Sequence, residues 1–366
     1  MKSKKAPKAH APKAHAAEAQ APEVLPEFIE TEDQLDELLS RPPAAVVDLF
    51  RKLDGDLAIV GGGGKIGPSL AQMACRARAE AGTKQKITVI DRFPDAAVRP
   101  AIERFGAQTV SCDLLDDKAV ASLPDAPNIV YMAGMKFGTS GRPELTWAVN
   151  GLIPAYVARR YKDSRIVAFS TGCVYALVDA KSAGSVETDA LEPPGEYANS
   201  CVARERMFQY FSAAFGTPIV LMRLNYAVEL RYGVLVDIAS HIVEGQPVDL
   251  TMGHVNVIWQ GDVNAATLRL LEMASAPPLA LNVTGQQKLC VRELATRLGE
   301  MMGRKVKFTG KEAPTALLSD ASASFRLLGK PAMPIEPVLK WVAHWIGRGG
   351  KTLGKPTHFQ TRDGKY

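Results

Sequence analysis

Leu57-Ala58-Ile59-Val60-Gly61-Gly62-Gly63-Gly64-Lys65-Ile66-Gly67 is the stretch whose reading decides how this chain folds. Four apolar residues running straight into glycine predict a buried strand that ends in a tight loop. Pro68, Ser69, Leu70, Ala71, Met73 and Ala74 then open a helix, with proline in the first turn where it is tolerated. Glycines at 61, 64 and 67 allow the tight turn, the close approach of a pyrophosphate, and close packing of helix on strand. The helix N-terminus, with Lys65 and Ile66 at its mouth, then faces the phosphates. A second apolar run, Ile87 to Ile90, ends in Asp91, which stands at the right distance to accept both ribose hydroxyls of an adenosine. That spacing favours NAD over NADP, although the neighbouring Arg92 is the kind of residue that receives a 2'-phosphate.

Working outward, apolar runs near Thr109, at Asn128 to Met132, at Arg165 to Phe169 and at Pro218 to Met222 alternate with amphipathic stretches. This is the pattern of an α/β chain with a doubly wound parallel sheet. Ligands of such sheets bind at the carboxyl ends of the strands. Cys112, Asp113 and Leu114 end the third strand, where a carboxylate reaches an adenine amino group, and Met132, Ala133 and Gly134 follow the fourth.

At 366 residues the chain fits one compound domain. No apolar stretch reaches the roughly 20 residues of a membrane span, and the N-terminus lacks the apolar core of a secretory signal, so a cytoplasmic protein is expected. Five scattered cysteines without a CxxC pair argue for reduced thiols rather than disulfides or structural zinc. Taking the five lysines of residues 1–15 and the net four positive charges of residues 347–366 from the formal +5 leaves a body of −4. Nucleic acid is therefore not an expected partner. The expected organisation is a disordered basic tail over 1–25, a helical extension over 26–54, a catalytic domain over 55–346 whose substrate lobe lies mainly in 226–346, and a basic tail over 347–366. Thr31 and Gln34 form a capping-box pattern ahead of one short helix, and a second is expected at Ala44 to Leu53.

Several segments taken in order carry a family resemblance: VGGGGKIG (60–67), AGMK (133–136), FSTGCVY (169–175), ETDALEPPGEYANSC (187–201) and LNVTGQQKLCVRELATRLGEMMGR (281–304). From about Asp56 to Gly347 the chain resembles the extended short-chain dehydrogenase/reductase superfamily, in its NAD-dependent epimerase/dehydratase branch, and its AGMK segment is similar to that of UDP-galactose 4-epimerases. The resemblance implies a Rossmann fold with a smaller C-terminal substrate-binding lobe, tightly held NAD, and a homodimer formed through helices that include the one bearing Tyr197. It makes Tyr197 the general acid/base and Thr171 its partner at the substrate oxygen. Cofactor contacts fall to the glycines, Asp91, Arg92, Asp113, Leu114, Ala133, Gly134, Lys136 and Asn150, with Tyr197. The implied chemistry is hydride transfer from a sugar carbinol through a keto intermediate, for which a base on the hydroxyl proton is required.

The chain departs from that pattern where it matters. Cys201 stands four residues after Tyr197, in the place of the family's lysine, which holds the nicotinamide ribose and lowers the phenol pKa. Without a neighbouring cation, proton transfer slows by roughly tenfold to a thousandfold. Arg204, seven residues on and on the same helix face, is one replacement, and Lys136 is another. Cys201 acting as a working thiol is a third possibility, its plainer reading being a small apolar group packed on the sheet. A fourth is that redox catalysis has been lost. Ala148 occupies the place of the family's helix asparagine, with Trp147 before it and Asn150 two residues later, and Arg223-Leu224-Asn225 is a shortened form of its RxxN stretch. Asn225, Arg231 and Trp259 are the candidate substrate contacts, Trp259 being equally suited to core packing and Arg231 to solvent. The histidines have no ligand-spaced carboxylate or cysteine neighbours, so no metal is expected. The expected function is an NAD-dependent epimerase, dehydratase or dehydrogenase acting on a sugar or sugar derivative; the alternative is an NAD-binding sensor or scaffold of the same fold.

Overall fold

The computed structural model describes residues 25–136 and 141–365, so the tail assigned to the first residues lies outside the described part except for Leu25. Strands β1 (Leu57–Val60), β2 (Ile87–Asp91), β3 (Gln108–Ser111), β4 (Asn128–Tyr131), β5 (Arg165–Thr171), β6 (Ile219–Leu224) and β7 (Leu279–Val283) form one sheet in the order β7-β6-β5-β4-β1-β2-β3. Every ladder in it is parallel. The order reverses between β1 and β4, and the crevice at such a reversal is where open α/β sheets bind ligands.

The alternation of side chains along a strand dictates the layers. Leu57 and Ile59 pack into one apolar cluster, Ala58 and Val60 into another on the opposite face. The first face is covered by α2 (Ala44–Lys52), α3 (Gly67–Ala81) and α7 (Gln260–Arg269), the second by α4 (Ile153–Arg160) and α5 (Glu196–Phe215). Strands buried on both sides read as continuous apolar runs, which is why the sheet was legible in the sequence.

A third cluster forms the smaller lobe, around α6 (Val234–Val243), α8 (Val291–Met302) and α9 (Ile335–Gly347). The helix α1 (Glu32–Leu39) starts at the expected capping box, with Thr31 Oγ1 accepting from Gln34 N and Gln34 Oε1 from Thr31 N. Its Leu35 and Leu39 enter the lobe core, whereas Val46 and Phe50 of α2 enter the sheet core. The N-terminal extension thus joins two cores. No helix among the described residues is long and apolar enough to cross a membrane.

The segment after α9 departs from the expectation of a tail. It doubles back over the lobe, with Leu353 N donating to Arg231 O at 2.9 Å and Arg362 Nη1 to Thr315 O at 2.7 Å, and it buries Phe359. The anchors are polar and distant in sequence, so no periodicity announces them.

Candidate active site

The glycine loop is built by steric necessity at two positions. Gly61 adopts φ +81°, and a Cβ there would stand 2.3 Å from Ala133 N; on Gly67 it would stand 2.0 Å from Gly62 O. Gly64 has open space instead, so its backbone is bare toward the groove. Asp91, at the end of β2, accepts from Gly63 N at 2.9 Å and from Arg92 N at 2.7 Å. Gly61, Gly64, Asp91, Arg92, Asp113, Leu114, Ala133, Gly134 and Lys136 line one groove of about 430 Å³ above the carboxyl ends of the strands. A cradle with room only for glycine, a helix N-terminus behind it and a carboxylate beside it fit a dinucleotide.

Lys65 and Ile66 take other places. Ile66 caps α3 and is buried, and the Lys65 ammonium lies 3.3 Å from the centre of the Tyr232 ring. Burial, and then the charge of Lys136, bring the Lys65 pKa down to about 7. Lys136 turns its ammonium to Thr357 O at 3.2 Å, and burial lowers its pKa too.

Tyr197 sits in the first turn of α5, behind Gly195 at φ +81°, and is 8% exposed. Burial raises its pKa well above that of a free phenol, Cys201 and Cys173 add to this, and Arg204 opposes it. Thr171 ends β5, where its Oγ1 accepts from Cys173 N at 3.1 Å. Cys201 is fully buried and shares a hydrogen bond with Tyr197; burial raises its own pKa, so it is a protonated thiol rather than a nucleophile.

Asn150 ties this group together. The helix between β4 and β5 carries a π-helical turn over Ala148–Leu152. Asn150, two residues beyond the position of the family's asparagine, lies within this turn with its side chain buried. Asn150 Oδ1 accepts from Met135 N at 2.9 Å and Arg204 Nη2 at 2.5 Å, while its Nδ2 donates to Met135 O and Ser200 Oγ, each at 2.9 Å. Arg204 Nη1 donates to Phe169 O at 3.0 Å. A guanidinium is thereby locked beneath the phenol's helix.

Arg231 is neither at the groove nor in solvent, and Trp259 takes the core-packing alternative. Arg231 is held by Glu229 at 3.1 Å and by Asp36 of α1 at 2.8 Å, because the N-terminal extension brings carboxylates to it. Trp259 is buried in the lobe core, tilted against Trp341 with ring centres 5.7 Å apart. Asn225 keeps its place near the site: its side chain abuts Gly172, and its buried Nδ2 has no hydrogen-bond partner among the described residues.

The sequence reading missed a buried ion pair under α5. Glu205 receives Arg223 Nε at 3.0 Å, Arg223 Nη2 at 2.8 Å and Ser170 Oγ at 2.5 Å. Its signal was available: Glu205 falls at helical spacing from Ala198, Cys201 and Phe208, in the buried stripe of α5. Asp237 was missed as well, and it accepts from Thr357 N at 2.7 Å.

Residues 57–282 match the model of the NAD dependent epimerase/dehydratase family. A search of curated proteins finds no match to the sequence. Among solved structures, UDP-glucuronic acid 4-epimerase from Bacillus cereus, in complex with UDP-glucuronic acid and NAD, is similar at TM-score 0.66 and 17% identity, over 80% of this chain and 99% of that one. UDP-glucose 4-epimerase from Thermotoga maritima, with UDP-glucose, is similar at TM-score 0.67 and 17% identity, over 80% and 99%. An epimerase from Methanothermobacter thermautotrophicus gives TM-score 0.67 at 20% identity, over 83% and 95%.

Proposed function

Because the chain belongs to the NAD-dependent epimerase/dehydratase family, we propose that it is an NAD-dependent enzyme acting on a nucleotide sugar through a keto intermediate, with Tyr197 as the proton carrier. The observation that carries this reading is the cluster of Tyr197, Cys201, Asn150 and Arg204, with Arg204 beside Gly134 and Asn150 bonded to Met135 of the groove wall. The structural neighbours add support, since two of them are UDP-sugar 4-epimerases with their nucleotide sugars. Asp91, at the end of β2, suits unphosphorylated ribose hydroxyls and so NAD. Bound there, NAD would supply a hydride acceptor and return the hydride.

The protein's own groups handle the proton. Burial favours the neutral phenol, which must first lose its proton to solvent for oxidation to begin. Once re-formed by taking the carbinol proton, that phenol returns a proton to the keto oxygen. The opposite step draws the carbinol proton onto a phenolate, and the fixed Arg204 charge is what stabilises that anion. Thr171 stands at the strand end as hydrogen-bond donor to the substrate oxygen. The test is incubation with NAD and UDP-glucose, UDP-galactose or UDP-glucuronic acid, following C4 configuration by NMR and NADH by absorbance. Tight NAD binding with no turnover on any of them would replace this reading by that of a sensor.

Arg204 makes a separable prediction. A cation lowers the phenol pKa, so Arg204→Met raises it and moves the rise of kcat/KM to higher pH. At neutral pH the loss is about tenfold to a thousandfold, and Arg204→Lys recovers most of it. An unshifted pH profile in the Met variant would assign the role to Lys136.

Homodimerisation and cytoplasmic residence belong to the same proposal. Trp147 and Leu152 before α4, and Tyr210 and Phe215 on α5, are exposed large apolar groups on packed neighbouring helices, and all five cysteines are free thiols. Sedimentation should give a dimer, and Tyr210→Glu with Phe215→Glu should give a monomer; a monomeric parent chain would overturn the assignment.

A further inference from the structure

We propose that residues 352–365 are a built-in occupant of the cleft's reactive end, a strap that must lift before a substrate reaches Tyr197. The inference rests on the reading of Tyr197 as the reacting group, and its physical basis is the path of the segment. At its root, Lys351 Nζ lies 3.1 Å from Glu32 and Leu353 N donates to Arg231 O. Lys355 then reaches the mouth of the dinucleotide groove. Thr357 follows, its carbonyl taking the Lys136 ammonium and its N–H and hydroxyl both given to Asp237. The carbonyl of buried Phe359 stands 3.4 Å from the Tyr226 hydroxyl. Arg362 Nη2 bonds Thr315 Oγ1 at 2.5 Å, and Gly364 abuts Gly195, so that a Cβ on Gly195 would stand 2.6 Å from Gly364 O. The segment therefore crosses from the N-terminal layer to the start of the helix that bears Tyr197.

What it covers has the chemistry of a ligand site. The charge of Lys136 disfavours that of Lys65, and Asp237 is felt by both. Lys136 lines the dinucleotide groove with Lys65 behind it over the Tyr232 ring, and a diphosphate in the groove would compete with the Thr357 carbonyl for Lys136. The strap contributes one fully buried large apolar side chain, Phe359, and is otherwise held by polar contacts that water can replace. Segments of that kind open at low cost compared with a packed helix.

The full-length protein provides the test. Phe359 is a chymotrypsin site, and cleavage after it should accelerate when NAD and UDP-glucose are added at saturation. Cys173, near enough to Lys136 and Tyr226 to affect the ionisation of both, reports the same opening through maleimide labelling followed by peptide mass mapping. In the double variant Thr357→Val, Arg362→Ala, labelling of Cys173 should rise and the Kd for UDP-glucose should fall, each by about tenfold if the open state is about a tenth populated in the parent chain. Slower cleavage with UDP-glucose would mean that the segment closes over ligand, and unchanged cleavage and labelling would make it a fixed wall; either result overturns the strap. Should the double variant misfold, proteolysis of the parent chain still decides. Neither readout needs turnover, so the strap can fail while the catalytic reading stands, and the reverse.

Discussion

Tyr197→Phe lowers kcat on a nucleotide sugar by about 10²–10⁴-fold, the range supplied by a positioned acid/base group. The ring stays in its buried seat at the start of α5, so folding and dinucleotide affinity should be retained. Only the hydroxyl shared with Cys201 disappears, together with the route for the proton. Steady-state turnover and NAD titration by fluorescence separate the two quantities. A Phe variant with unchanged kcat would remove Tyr197 from the mechanism, and one that no longer bound NAD would make it a structural residue. Arg204 cannot take over the proton, because a guanidinium fixed between Phe169 O and Asn150 Oδ1 has no accessible deprotonated form.

Glu205→Leu is expected to cost about 3–5 kcal/mol of stability, because it strands the Arg223 guanidinium in a buried place. The two side chains are 0% and 4% exposed, and the pair is bidentate. Arg223 also donates to the Tyr175 hydroxyl at 2.7 Å and to Glu187 O at 3.0 Å, so it has no route to water. Arg223→Leu should be similarly harmful. The double substitution should be milder than the sum of the singles, since removing both charges leaves no uncompensated ion. Urea denaturation of the three variants checks this, and strict additivity would show that the ion pair is not a coupled unit. Glu205 also bonds Ser170 on β5, so the pair pins α5 to two strands and with it the position of the phenol.

The glycine loop and the parallel sheet were legible because their causes are local: a steric limit on Cβ, and strands buried on both faces. Arg204 was legible for a similar reason, since seven residues is two helical turns. Arg231 and Trp259 were not, because their fates depend on partners far along the chain, Asp36 for one and Trp341 for the other. The strap was the least legible element. Its contacts run from Thr357 to Asp237 and to Lys136, across 120 and 221 positions, and a stretch rich in lysine and glycine reads as solvated unless those partners are known.

The π-helical turn constrains what can stand at position 201. It carries Asn150 to the guanidinium of Arg204, so the widened helix, the arginine and the small thiol at 201 form one interdependent arrangement. A lysine placed at 201 alone would enter a fully enclosed space already governed by the like charge of Arg204. A lysine at 201 therefore needs a compensating change at 204 or 150, not a single substitution.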